Sequence, residues 1–278
     1  ADILAVAGSD SSNKDDGQLV FRTSPSQGAI TERIRITQDG LTLLGTSSDL
    51  FGESFKLQIA DDGPYGSLYL SRFQNNSSSS YLRFGKSRNG TIGSHTVVQS
   101  NDILGAIDFT GSGGSAMHLG ARITGQVDGT PGNNDMPGRI EFRTTPDGTT
   151  TPLVRMTIKN SGNIGINDTN PSEKLVVGGN IYATGNITAY SDIRVKENVK
   201  EISNALEAVD KIRGVSYTRK DTKEDSLGVS AQEVETMFPE LVIEDYKGMK
   251  SVNYNGLVGV LFSAVKELST KLKEIEDK

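Results

Sequence analysis

One stretch of this sequence is written twice. Gly17-Gln-Leu-Val-Phe-Arg-Thr-Ser-Pro25 matches Gly138-Arg-Ile-Glu-Phe-Arg-Thr-Thr-Pro146. Farther on, Arg33-Ile-Arg-Ile-Thr37 followed by Gly40 matches Arg155-Met-Thr-Ile-Lys159 followed by Gly162, so the second copy carries one extra residue in between. A shorter echo pairs Asp2-Ile3-Leu4 with Asp102-Ile103-Leu104. Apolar and polar residues alternate within such stretches: Phe55, Leu57 and Ile59 flank Lys56 and Gln58, and Val154, Met156 and Ile158 flank Arg155 and Thr157. Alternation of period two predicts strands with one face buried and one solvated. Asp39-Gly40, Asp62-Gly63, Asn89-Gly90, Asp147-Gly148 and Ser161-Gly162 supply turns. A duplicated β unit of this kind has a small core per copy and gains stability by stacking or by association about a shared axis.

The character of the chain changes near residue 190. Of 31 glycines, five lie after Ser191, whereas the last 88 residues hold 14 of the 29 Lys and Arg and 17 of the 35 Asp and Glu. The part before is rich in Gly, Ser, Thr and Asn and reads as short strands joined by turns. The part after reads as helices with a few strands. The expected division is a β-rich region over 1–166 containing the repeat, stem or linker strands over 167–190, and an α+β domain over 191–278. Asn204…Glu207 has capping-box spacing and opens a helix carrying Leu206, Val209 and Ile212 that stops at Gly214; Ser230…Glu233 opens a second, ended by Pro239. In the last helix Tyr254, Val258, Leu261, Val265, Leu268, Leu272 and Ile275 follow steps of four and three, the spacing of a coiled-coil seam.

Several functions are excluded or disfavoured. There is no cysteine, hence no disulfide, thiolate metal site or Cys nucleophile. His95 and His118 are the only histidines and neither sits in a recognisable motif, so no Ser-His-Asp triad and no metal site is expected. A net charge of −6 argues against nucleic acid as a partner. No apolar run reaches membrane-spanning length, and no phosphate-binding glycine loop is present, so neither membrane insertion nor a cofactor is expected. The chain opens at Ala1 rather than Met, the start expected of a piece of a longer protein.

The segment that carries chemistry is Tyr190-Ser-Asp-Ile-Arg-Val-Lys-Glu-Asn-Val199. A serine hydroxyl needs a base, and a lysine serves when burial or nearby positive charge favours its neutral form. Ser191 and Lys196 are five apart, a spacing that suits a turn and not one helix face. Arg194 and Lys200 are the nearby cations.

Ser191-Asp-Ile-Arg-Val-Lys-Glu-Asn-Val199, Gly228-Val-Ser-Ala-Gln-Glu-Val-Glu235, Phe238-Pro-Glu-Leu-Val242 and Val252-Asn-Tyr-Asn-Gly-Leu-Val258 resemble, in order and spacing, the intramolecular chaperone of endosialidases and phage tail fibres, the peptidase S74 family. The Gly-rich stretches at 101–111 and 127–139, with 162–166 and 171–178, resemble the β modules and stem of tailed-phage fibres. Val229-Ser230 departs from many members, without consequence for catalysis. The resemblance implies a homotrimeric fibre end whose chaperone sets three chains in register and then cuts itself off at Tyr190–Ser191 in a single turnover, with Ser191 as nucleophile and Lys196 as base. It implies a virion component assembled in the host cytoplasm that meets a bacterial cell-surface receptor, a glycan being one form. A second reading keeps the domain uncut as a permanent trimerisation cap. A third makes the first region a glycan-degrading tailspike; its acidic residues Asp61, Asp62, Asp128 and Asp135 read as turn formers or solvated loop residues rather than as a catalytic pair.

Overall fold

The computed structural model describes residues 1–7, 16–24, 26, 28–50, 55–62, 68–245 and 247–277. Pro25, at the end of the first repeat, and Gly63, in one of the expected turns, lie outside the described residues. The chain divides into two compact units, Ala1–Thr169 and Asn170–Lys278. The first is built of strands; the second combines short strands and helices.

In the first unit β1 (Asp2–Ala7), β2 (Gly17–Thr23), β3 (Thr31–Ile36) and β4 (Thr42–Leu44) form an antiparallel meander, and β5 (Leu57–Ile59) joins β4 in parallel. A second meander runs through β6 (Ile103–Ser112), β7 (Met117–Val127), β8 (Gly138–Thr144), β9 (Leu153–Ile158) and β10 (Ile164–Ile166).

The sequence repeat is a structural repeat. Leu19 pairs with Ile36 and Phe21 with Ile34, as Ile140 pairs with Ile158 and Phe142 with Met156. The register shifts after Phe21 in one copy and after Phe142 in the other, so the shared Phe-Arg dipeptide carries the bulge. Arg33 Nε donates to Thr23 Oγ1 at 3.0 Å and Arg155 Nε to Thr144 Oγ1 at 2.9 Å. Gly40 and Gly162 both take positive φ, 73° and 76°, in the turn that follows. The Asp2/Asp102 echo is different. Asp2 sits on the neighbour of β2, opposite Arg22, whereas Ile103 opens β6, two strands away from β8. Those two positions are not equivalent, because the neighbour of β8 is β7.

The alternation correctly predicts two unlike faces, but not which one the chain covers. In the second sheet Thr124, Glu141 and Thr157 lie opposite one another in a row and are 0%, 4% and 0% exposed, while Ile140 and Phe142 on the other face are 44% and 37% exposed. In β5, Gln58 is buried and Leu57 and Ile59 are exposed. Alternation distinguishes the faces of a strand; a covering layer decides which becomes core, and that layer is not written in the strand.

Ion pairs occupy the covered face. Glu141 accepts from Arg139 Nε at 2.8 Å, Arg143 Nη2 at 2.5 Å and Gln126 Nε2 at 3.1 Å, and Arg139 also donates to the Gln126 side-chain Oε1. Burial pushes the Glu141 carboxyl up, but the two guanidinium partners outweigh it and hold it below its usual range. Asp128 is likewise no solvated loop residue. It is buried, accepts from Lys159 Nζ at 2.6 Å and from the Asn160 N–H at 3.0 Å, and is paired with Arg139 at 3.3 Å. Burial raises its carboxyl; the Asn160 N–H and the Lys159 ammonium hold it low.

In the second unit β11 (Leu175–Val177) is followed by a 3-10 turn, Ile193–Val195, then α1 (Ala205–Asp210), β12 (Gly214–Thr218), β13 (Asp225–Val229), α2 (Ala231–Met237), a 3-10 turn at Pro239–Leu241, β14 (Val242–Glu244), β15 (Lys250–Val252) and α3 (Tyr254–Glu276). Strands β12 and β13 form one antiparallel pair and β14 and β15 another. Ala205, Ala208, Val234, Phe238, Val260 and Ala264 form the core.

Neither expected capping box forms. Asn204 takes a left-handed φ of 56° with no side-chain cap. The Glu267 carboxylate reaches over from α3 instead and accepts the Ala205 and Leu206 N–H groups at 3.0 and 2.9 Å. These backbone bonds hold the Glu267 carboxyl below its usual range, as a carboxylate at a helix N-terminus should be. Glu233 does not return to the backbone of Ser230; it accepts the Arg213 N–H at 3.0 Å and Arg213 Nε at 2.8 Å.

The row around Glu141 yields a contrast. The Thr124 and Thr157 hydroxyls are buried with no hydrogen-bond partner among the described residues. Thr157→Val exchanges such a hydroxyl for a methyl of the same shape and is expected to raise stability by about 1 kcal/mol. Glu141→Ala strands the Arg143 guanidinium and takes one carboxylate from Arg139, which keeps Asp128, and is expected to cost about 3 kcal/mol. The Glu141 pKa is depressed on folding, so its contribution is full above the ordinary value of 4.5 and fades as pH falls through the lowered one. Urea midpoints of the full chain, followed by circular dichroism at pH 7 and pH 3, measure all three. A lower midpoint for Thr157→Val would mean that the hydroxyl has a partner outside the chain.

Candidate functional site

Ser191 and Lys196 meet because the residues between them form a capped turn. Asp192 extends its side chain over the 3-10 turn and accepts the Arg194 N–H at 2.9 Å. The Lys196 N–H closes the turn by donating to the Ile193 carbonyl at 3.1 Å. The chain thereby reverses, and Lys196 Nζ lies 2.9 Å from Ser191 Oγ. Both residues are exposed, and Tyr190, on the other side of the peptide bond, is 84% exposed. In chemical terms the site holds a hydroxyl, an amine within proton-transfer reach, and a peptide carbonyl next to the hydroxyl's own residue.

Arg194 does not act as the neighbouring cation expected beside Lys196. Its guanidinium grips Asp192, Nε to Oδ1 at 3.0 Å and Nη2 to Oδ2 at 2.6 Å. This pair holds the Asp192 carboxyl low and matches the arginine's charge. Lysine-as-base chemistry draws on burial or nearby positive charge; Lys196 and Lys200, the other cation singled out in the sequence, are both exposed.

The other segments singled out in the sequence have packing roles. Gly228 on β13 lies where a Cβ would come within 2.7 Å of the Tyr254 hydroxyl. Gly256, in the first turn of α3, lies where a Cβ would stand 2.3 Å from Leu241. Asn253 caps α3 by accepting the Gly256 N–H at 3.1 Å. Pro239 turns the chain out of α2. Thus Gly-Val-Ser-Ala-Gln-Glu-Val and Asn-Tyr-Asn-Gly-Leu-Val lie where β13, α2, α3 and the turn between them pack together. Glu267 and Glu233 gave no local signal, because each acts on backbone far away in sequence.

Helix α3 has two apolar stripes. Leu257, Val260 and Ala264 face α1 and α2. The seam residues Tyr254, Val258, Leu261, Val265, Leu268, Leu272 and Ile275 are centred about 80° round the helix from that stripe, at about 100° per residue, and are all exposed, Val265 to 64%. Among the described residues no helix is long and apolar enough to cross a membrane. His95 and His118 belong to the first unit, His118 on β7.

This arrangement defines a class. Residues 191–243, beginning at the serine of the turn, match the peptidase S74 family, described as the chaperone of endosialidase. More particular likenesses follow. Long tail fibre protein Gp37 of Enterobacteria phage K3 is 39% identical over 114 residues, which cover 36% of this chain and 9% of that protein. Gp37 of Salmonella phage S16 is 31% identical over 118 residues, covering 36% and 16%. The match therefore spans about a tenth of the length of the K3 relative. The carboxy-terminal domain of the bacteriophage T5 L-shaped tail fibre, with its intramolecular chaperone domain, superposes with a TM-score of 0.51 over 99% of this chain and 85% of that one. At 15% identity that likeness is one of fold.

Proposed function

We propose that this chain is the C-terminal part of a phage tail fibre, a virion component, whose end domain brings three copies into register, promotes their folding and then cuts itself off at Tyr190–Ser191. The observation that carries this reading is the 2.9 Å contact between Ser191 Oγ and Lys196 Nζ across a capped turn, at the first residue of the S74 match. Assembly takes place in the host cytoplasm, and the finished fibre meets a bacterial surface receptor.

The step balances with the chain's own groups and one water. Neutral Lys196 takes the Ser191 hydroxyl proton as Oγ attacks the Tyr190 carbonyl. The C–N bond breaks, the Ser191 nitrogen leaves as an amine carrying the proton, and an ester joins Tyr190 to Ser191 Oγ. Water hydrolyses that ester to a Tyr190 carboxylate and the restored hydroxyl. The site acts once, on its own chain. Because the dyad is exposed in a single copy, assembly is what supplies the covered surroundings that favour the neutral amine. The product is then trapped, having lost the element that helped it form.

The heptad-spaced, exposed stripe of α3 supports self-association. The glycan-hydrolase reading has no comparable support: Asp128 is locked by Lys159, Arg139 and Asn160, and Asp135 closes a tight turn with Gly132.

Two experiments test the reading. Intact-mass analysis of the expressed chain should show a fragment beginning at Ser191, absent from Ser191→Ala, from Lys196→Ala and from Lys196→Arg, which keeps the charge but cannot give up its proton. An uncut wild type under native conditions would make the domain a permanent trimerisation cap. Separately, Leu268→Asp with Leu272→Asp, made in the Ser191→Ala chain, should reduce the sedimenting mass from three copies towards one; an unchanged mass would remove α3 from the interface.

A further inference from the structure

We propose that residues 68–73 and 81–84 are strands whose hydrogen-bonding partner is a second copy of this chain. The inference rests on the reading that copies assemble, and adds where the chains interlock.

Leu68-Tyr-Leu-Ser-Arg-Phe73 and Tyr81-Leu-Arg-Phe84 are short aromatic and aliphatic runs, separated by Gln74-Asn-Asn-Ser-Ser-Ser-Ser80. That composition is a hairpin signal, two strand formers around a turn-forming loop. In the single chain neither run is a strand or a helix. Among the described residues, none of their backbone N–H groups meets an acceptor, and their one tie across the loop is Ser80 Oγ donating to the Leu70 carbonyl at 3.1 Å. Backbone groups beside large apolar side chains need partners once that surface is covered, and these side chains are bare: Tyr69 is 82% exposed and Phe73 92%.

The second run also adjoins the open apolar face of the second sheet. Tyr81, Leu82 and Phe84 line a cleft of about 420 Å³ with Ile107, Ile123 and Ile140. The face is therefore partly roofed by the run from its own chain, whose backbone N–H groups stay unpaired there.

The amount of exposed surface points to the occupant. The chain exposes 21262 Å², against about 14,000 Å² expected of two separate compact units that share this mass. The surplus of about 7,300 Å² is many times the roughly 800 Å² that each partner buries in a standard interface. It includes exposed apolar residues on both sheets, on these runs and along α3. A second copy of the same chain carries the same unpaired runs and the same bare apolar surface, and is present wherever the chain folds.

Amide hydrogen exchange on the uncut Ser191→Ala chain, with its mass fixed by sedimentation in the same buffer, tests this. In the assembled protein the amides of 68–73 and 81–84 should exchange about a hundredfold or more slower than those of the 75–79 loop, and the difference should collapse in the dissociated Leu268→Asp, Leu272→Asp chain. Fast exchange in an assembled protein overturns the proposal and leaves the assembly reading intact. Slow exchange that persists in the dissociated chain also overturns it, since the partner would be intrachain. A Ser191→Ala chain that sediments as one copy overturns the assembly reading and this proposal with it.

Discussion

Side chains alternate along a strand, so a sheet that covers one face leaves the other for something else to cover. In β8 the covered side chain is Glu141, and Ile140 and Phe142 point the other way. A buried carboxylate is tolerable there because Arg139, Arg143 and Gln126 surround it. With the polar row closed inside the chain, the apolar side of the sheet, the bare runs at 68–73 and 81–84 and the seam of α3 share one problem: each is apolar surface that its own copy does not cover. On the proposed reading that problem is also the design. Three chains that cannot finish their cores separately finish them together.

Such a chain has much to lose before its partners arrive, and a C-terminal domain with a small complete core of its own suits the task of collecting them. Ala205, Ala208, Val234, Phe238, Val260 and Ala264 close that core within one copy, and Glu267 ties α1 to α3 through backbone N–H groups. The domain can thus be ordered while α3 still offers its other stripe. The proposed cut is placed sparingly. Asp192 and Arg194 shape the turn, Ser191 and Lys196 meet across it, and the remaining groups of the reaction come from the peptide bond itself. In the proposed sequence of events, a turn that is chemically incomplete in one copy delays the cut until copies have met.

Legibility in the sequence followed the range of the interaction. The repeat and the glycine turns were readable because each is fixed by neighbours a few residues away; the bulge at Phe-Arg emerges only from the register of the paired strands. The Ser191–Lys196 approach was readable too, since five residues are enough to specify a turn. The capping boxes at Asn204 and Ser230 had the right spacing and still lost, because Glu267 and Glu233 satisfy distant backbone that local spacing cannot see. The sidedness of the sheets was not legible for a similar reason: Leu57 and Ile59 are apolar whether or not anything covers them, and Gln58 is buried by what packs over it. The seam on α3 was legible as a stripe; the second stripe, at Leu257, Val260 and Ala264, makes sense only with α1 in view. The Asp2/Asp102 echo misled because three matching residues do not fix a strand's neighbour.

The extra residue between the two halves of the second repeat falls between β8 and β9, outside both ladders. On either side of it the pairing re-forms unchanged: Phe142 with Met156 as Phe21 with Ile34, Thr144 with Leu153 as Thr23 with Thr31. The bulge anchors the hairpin below its tip, so a change of length at the tip is not passed down the strands. These two hairpin ends are consequently the places where the fold accepts inserted peptide, and a lineage under pressure to vary what it displays can do so there without renegotiating the sheet.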